Sequence, residues 1–145
     1  MRKKIGFAMP AALVLAGQIW AGGFFLQLGN PDADPEARKL NAVLVVKATG
    51  CHDPAEARLT ATAIGTVNGQ RREIPLKVER LSAVGTFAIT RQWPREGKWV
   101  IELVAKNPDQ FTNTLVVAGP QGVERTKAKF DMHPFTPADV DAMLR

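Results

Sequence analysis

Between residues 42 and 130 the apolar side chains return at every second position, in short runs separated by turn signals. That period is the mark of a β-strand with one face buried, because successive side chains leave an extended backbone on opposite sides. Ala42 to Ala48 opens the series with Val43, Leu44, Val45 and Val46. Arg58 to Val67 sets Leu59, Ala61 and Ala63 against Arg58, Thr60 and Thr62. Glu73 to Glu79 sets Ile74, Leu76 and Val78 against Glu73, Lys77 and Glu79. Val84 to Thr90 aligns Phe87 with Ile89, and Lys98 to Ala105 aligns Trp99, Ile101 and Leu103 away from Lys98 and Glu102. Thr114 to Ala118 offers Leu115 and Val117. Val123 to Phe130 sets Thr126, Ala128 and Phe130 against Arg125, Lys127 and Lys129.

The connections agree with that reading. Asn68-Gly69 suits the positive φ angles of a type I′ hairpin. Trp93-Pro94-Arg95-Glu96-Gly97 and Gly119-Pro120-Gln121-Gly122 are expected to close two further hairpins, and Gly65 inside a strand suggests a bulge. Strands spaced by turns every 8–12 residues or so, with no long amphipathic helix between them, predict an all-β fold. The expected form is an immunoglobulin-like antiparallel β-sandwich of about seven strands over residues 41–131. Residues 132–145 form a tail in which Thr136-Pro137-Ala138-Asp139 caps a short helix to Leu144, with Val140, Met143 and Leu144 as its apolar side.

The N-terminus has a different character. Arg2-Lys3-Lys4 precedes Ile5 to Leu28, a stretch with no charged side chain and an apolar heart at Ala11–Ala16. This is the form of an export signal, with small residues for cleavage at Ala21, Gly22 and Gly23. The second reading is a retained helix, residues 5–28 anchoring the chain in the inner membrane. Residues 1–23 are therefore read as a signal peptide or membrane anchor. Residues 24–40, with Asn30-Pro31-Asp32-Ala33-Asp34-Pro35-Glu36, are read as a linker. On either reading the rest of the chain is exported, to the periplasm or beyond.

Charge and rare residues narrow the chemistry. The net charge is +5, from 19 basic and 14 acidic side chains. Three of the 19 are Arg2, Lys3 and Lys4, so the exported part is only mildly basic, and no aromatic residues interleave with its cations to stack bases; no nucleic-acid partner is expected. One cysteine excludes an internal disulfide framework. The one serine, Ser82, lacks the setting of a nucleophile elbow, there is no tyrosine, and no glycine-rich phosphate loop precedes a helix. The chain is thus not expected to be an enzyme. Arg125, Lys127 and Lys129 are read as charges that protect an edge strand from pairing.

Two binding features remain. Cys51 and His52 follow the first expected strand, and Met132 and His133 follow the seventh; if both strands end at one pole, thiolate, thioether and imidazole make a soft set suited to copper. Trp93, at the Pro-Arg-Glu-Gly turn, is a candidate anchor for a partner protein if it is exposed.

The run Trp93-Pro94-Arg95-Glu96-Gly97-Lys98-Trp99-Val100-Ile101-Glu102-Leu103 resembles the glycine–x–tryptophan start of a strand in small exported immunoglobulin-like domains, and is similar to that of the YtkA-like and FixH-like group. The resemblance covers this run and the general layout. It implies one β-sandwich behind an export or membrane segment, in a group associated with copper handling and oxidase assembly. No metal motif of the group has a counterpart in these residues. The expectation is a non-enzymatic exported module without a cofactor that binds an envelope protein, and meets the membrane only through a retained N-terminal segment. The alternative is a periplasmic copper-binding protein using Cys51, His52, Met132 and His133.

Overall fold

The computed structural model describes residues 23–50 and 53–145. Nine strands form two antiparallel sheets: β1 (Phe24–Gly29), β2 (Ala42–Gly50), β3 (Arg58–Val67), β4 (Gln70–Leu76), β5 (Val78–Arg80), β6 (Thr86–Thr90), β7 (Lys98–Asn107), β8 (Gln110–Gly119) and β9 (Gly122–Asp131). One sheet has the order β1-β2-β6-β5, the other β4-β3-β7-β8-β9. Lettered along the chain, these are A-B-E-D and C′-C-F-G with β9 added beside G, so the all-β sandwich has the strand order of the immunoglobulin type. Helix α1 (Pro35–Lys39) precedes β2, and α2 (Pro137–Leu144) closes the chain.

The alternation places the expected residues in the layer between the sheets. Leu44, Val46, Ala61, Ala63, Phe87, Ile89, Trp99, Ile101 and Leu103 are all buried there. Asn68 and Gly69 carry φ angles of 51° and 74° between the paired residues Val67 and Gln70, as a type I′ hairpin requires.

Several expectations are corrected. Residues 24–40 are not a linker: Phe24 to Gly29 pair along β2 from Gly50 to Val45. The prolines that looked like linker residues start helical turns. Asn30 Oδ1 accepts from Asp32 N at 3.1 Å ahead of Pro31, and Asp34 Oδ1 accepts from Glu36 N at 2.8 Å and Ala37 N at 3.0 Å ahead of Pro35. An Asn or Asp cap before proline satisfies free amides while the ring presets φ for the first helical position. Helix α1 then lays Ala37 over Val45, Leu81 and Ala88 on the outer face of the first sheet.

The run Glu73–Glu79 is two strands, because the chain changes sheets at Lys77. Leaving both ladders frees the Lys77 backbone, and the Gln92 side chain takes up both groups. Its Oε1 accepts from Lys77 N at 2.8 Å and its Nε2 donates to Lys77 O at 3.0 Å. The Trp93–Gly97 turn is not a hairpin, since β6 and β7 lie in different sheets. The hairpin before β8 is instead Pro108-Asp109, between the paired Asn107 and Gln110, so the short run Thr114–Ala118 is the end of a ten-residue strand.

Gly65 does not bulge; it pairs in unbroken register with Arg72 and Trp99. A Cβ there would stand 2.5 Å from the Trp99 ring. Gly97 takes φ 83°, and the Trp99 indole N–H donates to Glu96 O at 2.8 Å. The glycine–x–tryptophan run is thus a packing device: the turn aims the indole across a strand that has no side chain in its way.

The second sheet is buried on both faces over part of its area. Val140 of α2, with Phe135, Met143 and Leu144, covers Ile64, Val100, Leu115 and Val117. Leu115 and Val117 therefore pack under the helix, while Val116 and Ala118 face the other sheet. Thr136 and Asp139 form a reciprocal capping box, and Arg71 on β4 pairs with Asp141 at 2.6 Å. The residues read as a tail are part of the folded unit. Of residues 1–23, read as a signal peptide or membrane anchor, all but Gly23 lie outside the described residues.

Candidate functional site

One pole of the sandwich gathers the chain segments that carry exposed polar and apolar groups together. Gly50 ends β2 there, opposite Phe24; Arg58 opens β3 opposite Lys106; Asp131 ends β9 opposite Asn113. The two sheets are tied at this pole by the buried Asn107, whose Nδ2 donates to Asp53 O at 3.0 Å.

Alongside this pole, the outer face of the second sheet is left bare ahead of the N-terminal end of α2, whose other end reaches Lys98 at the opposite pole. A groove of about 290 Å³ lies between Glu102, Val104, Phe111, Asn113, Met132 and Pro134. Phe111 is 47% and Met132 69% exposed. The groove has two polar features among these apolar walls. Asn113 Nδ2 is sealed from solvent and has no acceptor among the described residues. Glu102 makes no ion pair among them; burial, and then the like charge of Glu73, push its carboxyl above the usual glutamate range.

A carboxyl whose pKa is higher in the folded than in the unfolded chain holds its proton more readily when folded. Its charge then costs stability above the raised pKa, and the cost vanishes as pH falls below the unfolded value of about 4.3. Glu102→Gln is expected to stabilise the domain at pH 7 by on the order of 0.5 kcal/mol, the scale of a half-exposed site. Thermal unfolding at pH 7 and at about pH 4 checks it, and the gain is expected to shrink toward zero at the lower pH.

The candidate residues from the sequence are distributed as follows. Trp93 is 4% exposed and packed in the core, with the Arg91 guanidinium 5.4 Å from its ring. It is therefore no surface anchor: the turn that carries it crosses between the sheets and draws the indole inward. Met132 borders the groove. His133 turns to Asp131, whose Oδ1 accepts its backbone N–H at 2.8 Å and lies 3.1 Å from its Nδ1. Those contacts hold the Asp131 carboxyl below the usual aspartate range. Cys51 and His52 lie outside the described residues. Among the described residues no group of three or more histidine, cysteine or acidic side chains could hold a metal ion. Ser82 donates its backbone N–H at 2.9 Å and its hydroxyl at 2.7 Å to Glu36, which pins the β5–β6 turn to α1.

Sequence reasoning missed the groove. Phe111 falls outside the expected strand, and nothing local to residues 102, 111 and 132 says that they meet. No helix among the described residues is long and apolar enough to cross a membrane. No family model matches this chain, and neither a curated protein nor a solved structure does.

Proposed function

We propose that this chain is an exported, non-enzymatic module of the cell envelope that seats a partner protein on the bare half of its second sheet. The observation that carries the reading is the exposure of Phe111 and Met132 around the groove, beside the half of the same face that α2 covers. Exposed apolar side chains gathered on one concave face are a common feature of interaction sites. The envelope setting rests on the charged and apolar N-terminal sequence, and on the layout that resembles the YtkA-like and FixH-like group. The test is the double variant Phe111→Ala, Met132→Ala in the exported chain. Envelope partners captured by cross-linking are expected to drop about tenfold, with Tm moving by under about 3 °C. Unchanged capture would overturn the reading.

One observation keeps the copper reading as a second proposal: β2 and β9, which precede Cys51-His52 and Met132-His133, end at the same pole. Titration of the exported chain with Cu(I) against a competing chelator tests it. Cys51→Ala and His133→Ala are each expected to weaken binding, and parental affinity in both would end the proposal.

A further inference from the structure

At the same pole a second cleft of about 580 Å³ is lined by Ala55, Glu56, Arg58, Arg80, Lys106 and Pro108. Three cations face it from three different strands, against one carboxylate. Arg58 and Lys106 stand directly opposite each other on β3 and β7. Like charges in that relation repel, so the sandwich gains nothing from the pairing. None of the three cations forms an ion pair with a carboxylate among the described residues.

The third cation is held in place. Arg80 donates through Nη2 to Ala57 O at 2.9 Å and through Nη1 to Ala55 O at 3.4 Å, and its guanidinium lies 4.9 Å from the Phe87 ring centre. The turn that supplies these carbonyls is itself fixed. Asp53 Oδ1 accepts from Ala55 N at 3.0 Å, and Asn107 grips Asp53 O from the β7–β8 side. The cleft therefore has one oriented guanidinium, a second at its rim and an ammonium, with a formal charge of +2 after Glu56 is counted.

We propose that this cleft binds a phosphoryl group, carried by a small soluble phosphate ester or by a phospholipid headgroup. Guanidinium forks match the spacing of phosphate oxygens and the lysine adds a point charge, so a phosphate monoester offsets both charges of the cleft and a phosphodiester headgroup offsets one of them. The volume is in the range of small-ligand sites. The cleft adjoins the groove of Phe111 and Met132, since Lys106 Nζ lies 5.3 Å from the Phe111 ring centre, but its charge does not depend on the reading proposed for that groove.

The experiment uses the exported chain and two probes, pyrophosphate in solution and vesicles of phosphatidylglycerol. Amide chemical shifts follow the first and co-sedimentation the second. Arg58→Gln with Lys106→Gln is expected to weaken binding by about tenfold or more, and Glu56→Gln to tighten it. Lys127→Gln with Lys129→Gln removes the same charge from β9 and is expected to leave binding within about twofold. Arg80 is left unchanged, since its contacts also hold the turn. Pyrophosphate binding with this pattern supports a soluble ligand, and vesicle binding alone with the same pattern supports a headgroup. Equal weakening by the two double variants would reduce the effect to net charge and overturn the proposal. So would the lack of both vesicle binding and saturable shifts up to about 10 mM pyrophosphate.

Discussion

Phe24→Ala is expected to destabilise the domain by about 3–5 kcal/mol and Leu26→Ala by about 2–5 kcal/mol, the costs of truncating fully packed aromatic and aliphatic side chains. Both are 4% exposed and belong to the core between the sheets. Phe25, between them, is 56% exposed on the other side of β1, and Phe25→Ala is expected to cost under about 1 kcal/mol. Denaturant unfolding of the chain measures all three. If residues 24–28 belonged to a linker or a membrane segment, the three variants would not separate. Equal and small effects would remove β1 from the sandwich. The result bears on the anchor expected over residues 5–28 as well, because a strand that pairs with β2 cannot also serve as the last turns of a membrane helix.

Trp99→Ala is expected to cost about 3–5 kcal/mol. The indole is among the largest fully buried side chains, and it also closes the turn through its bond to Glu96 O. Gly65→Ala is expected to cost about 1–3 kcal/mol through overpacking, since the new methyl would stand 2.5 Å from the Trp99 ring, which its bond to Glu96 O holds, and 2.9 Å from Lys98 O. The two effects share one space. In the double variant the methyl occupies part of the volume the ring vacates, so the combined cost is expected to fall short of the sum by about 1 kcal/mol. A double-mutant cycle on unfolding free energies measures the coupling. Strict additivity would mean that the glycine serves the strand and not the tryptophan.

Much of the β-architecture was legible because alternation is a property of the chain itself. Ile74 and Leu76, Phe87 and Ile89, and Trp99, Ile101 and Leu103 share faces in the structure as their spacing requires. The Thr136-Pro137 cap and the Asn68-Gly69 turn were legible for the same reason: each is a local conformational preference of two or three residues. Phe24, Leu26 and Leu28 alternate too, but they abut an uncharged apolar stretch, and a strand that continues such a stretch has no boundary to reveal it. Asn30-Pro31 and Asp34-Pro35 carry the same cap-then-proline pattern as Thr136-Pro137. Their acids and prolines read as a linker because nothing in the sequence shows that Ala37 has a surface to cover.

The candidate sites were less legible. Trp93 has the composition of a surface anchor, yet its burial follows from the crossing of its turn between two sheets, which no property of the turn announces. The charge stripe on β9 was readable as an edge, and β9 is one.

What the amino-acid order determined alone is the set of strands, most of their buried faces and the turns that join them, because these depend on side chains a few residues apart. Only the tertiary structure decided which faces are covered twice, that Phe111 meets Met132, and that Arg58, Arg80 and Lys106 share one cleft. Such meetings depend on how sheets stack and where strands change partner, and distance along a chain carries no record of either.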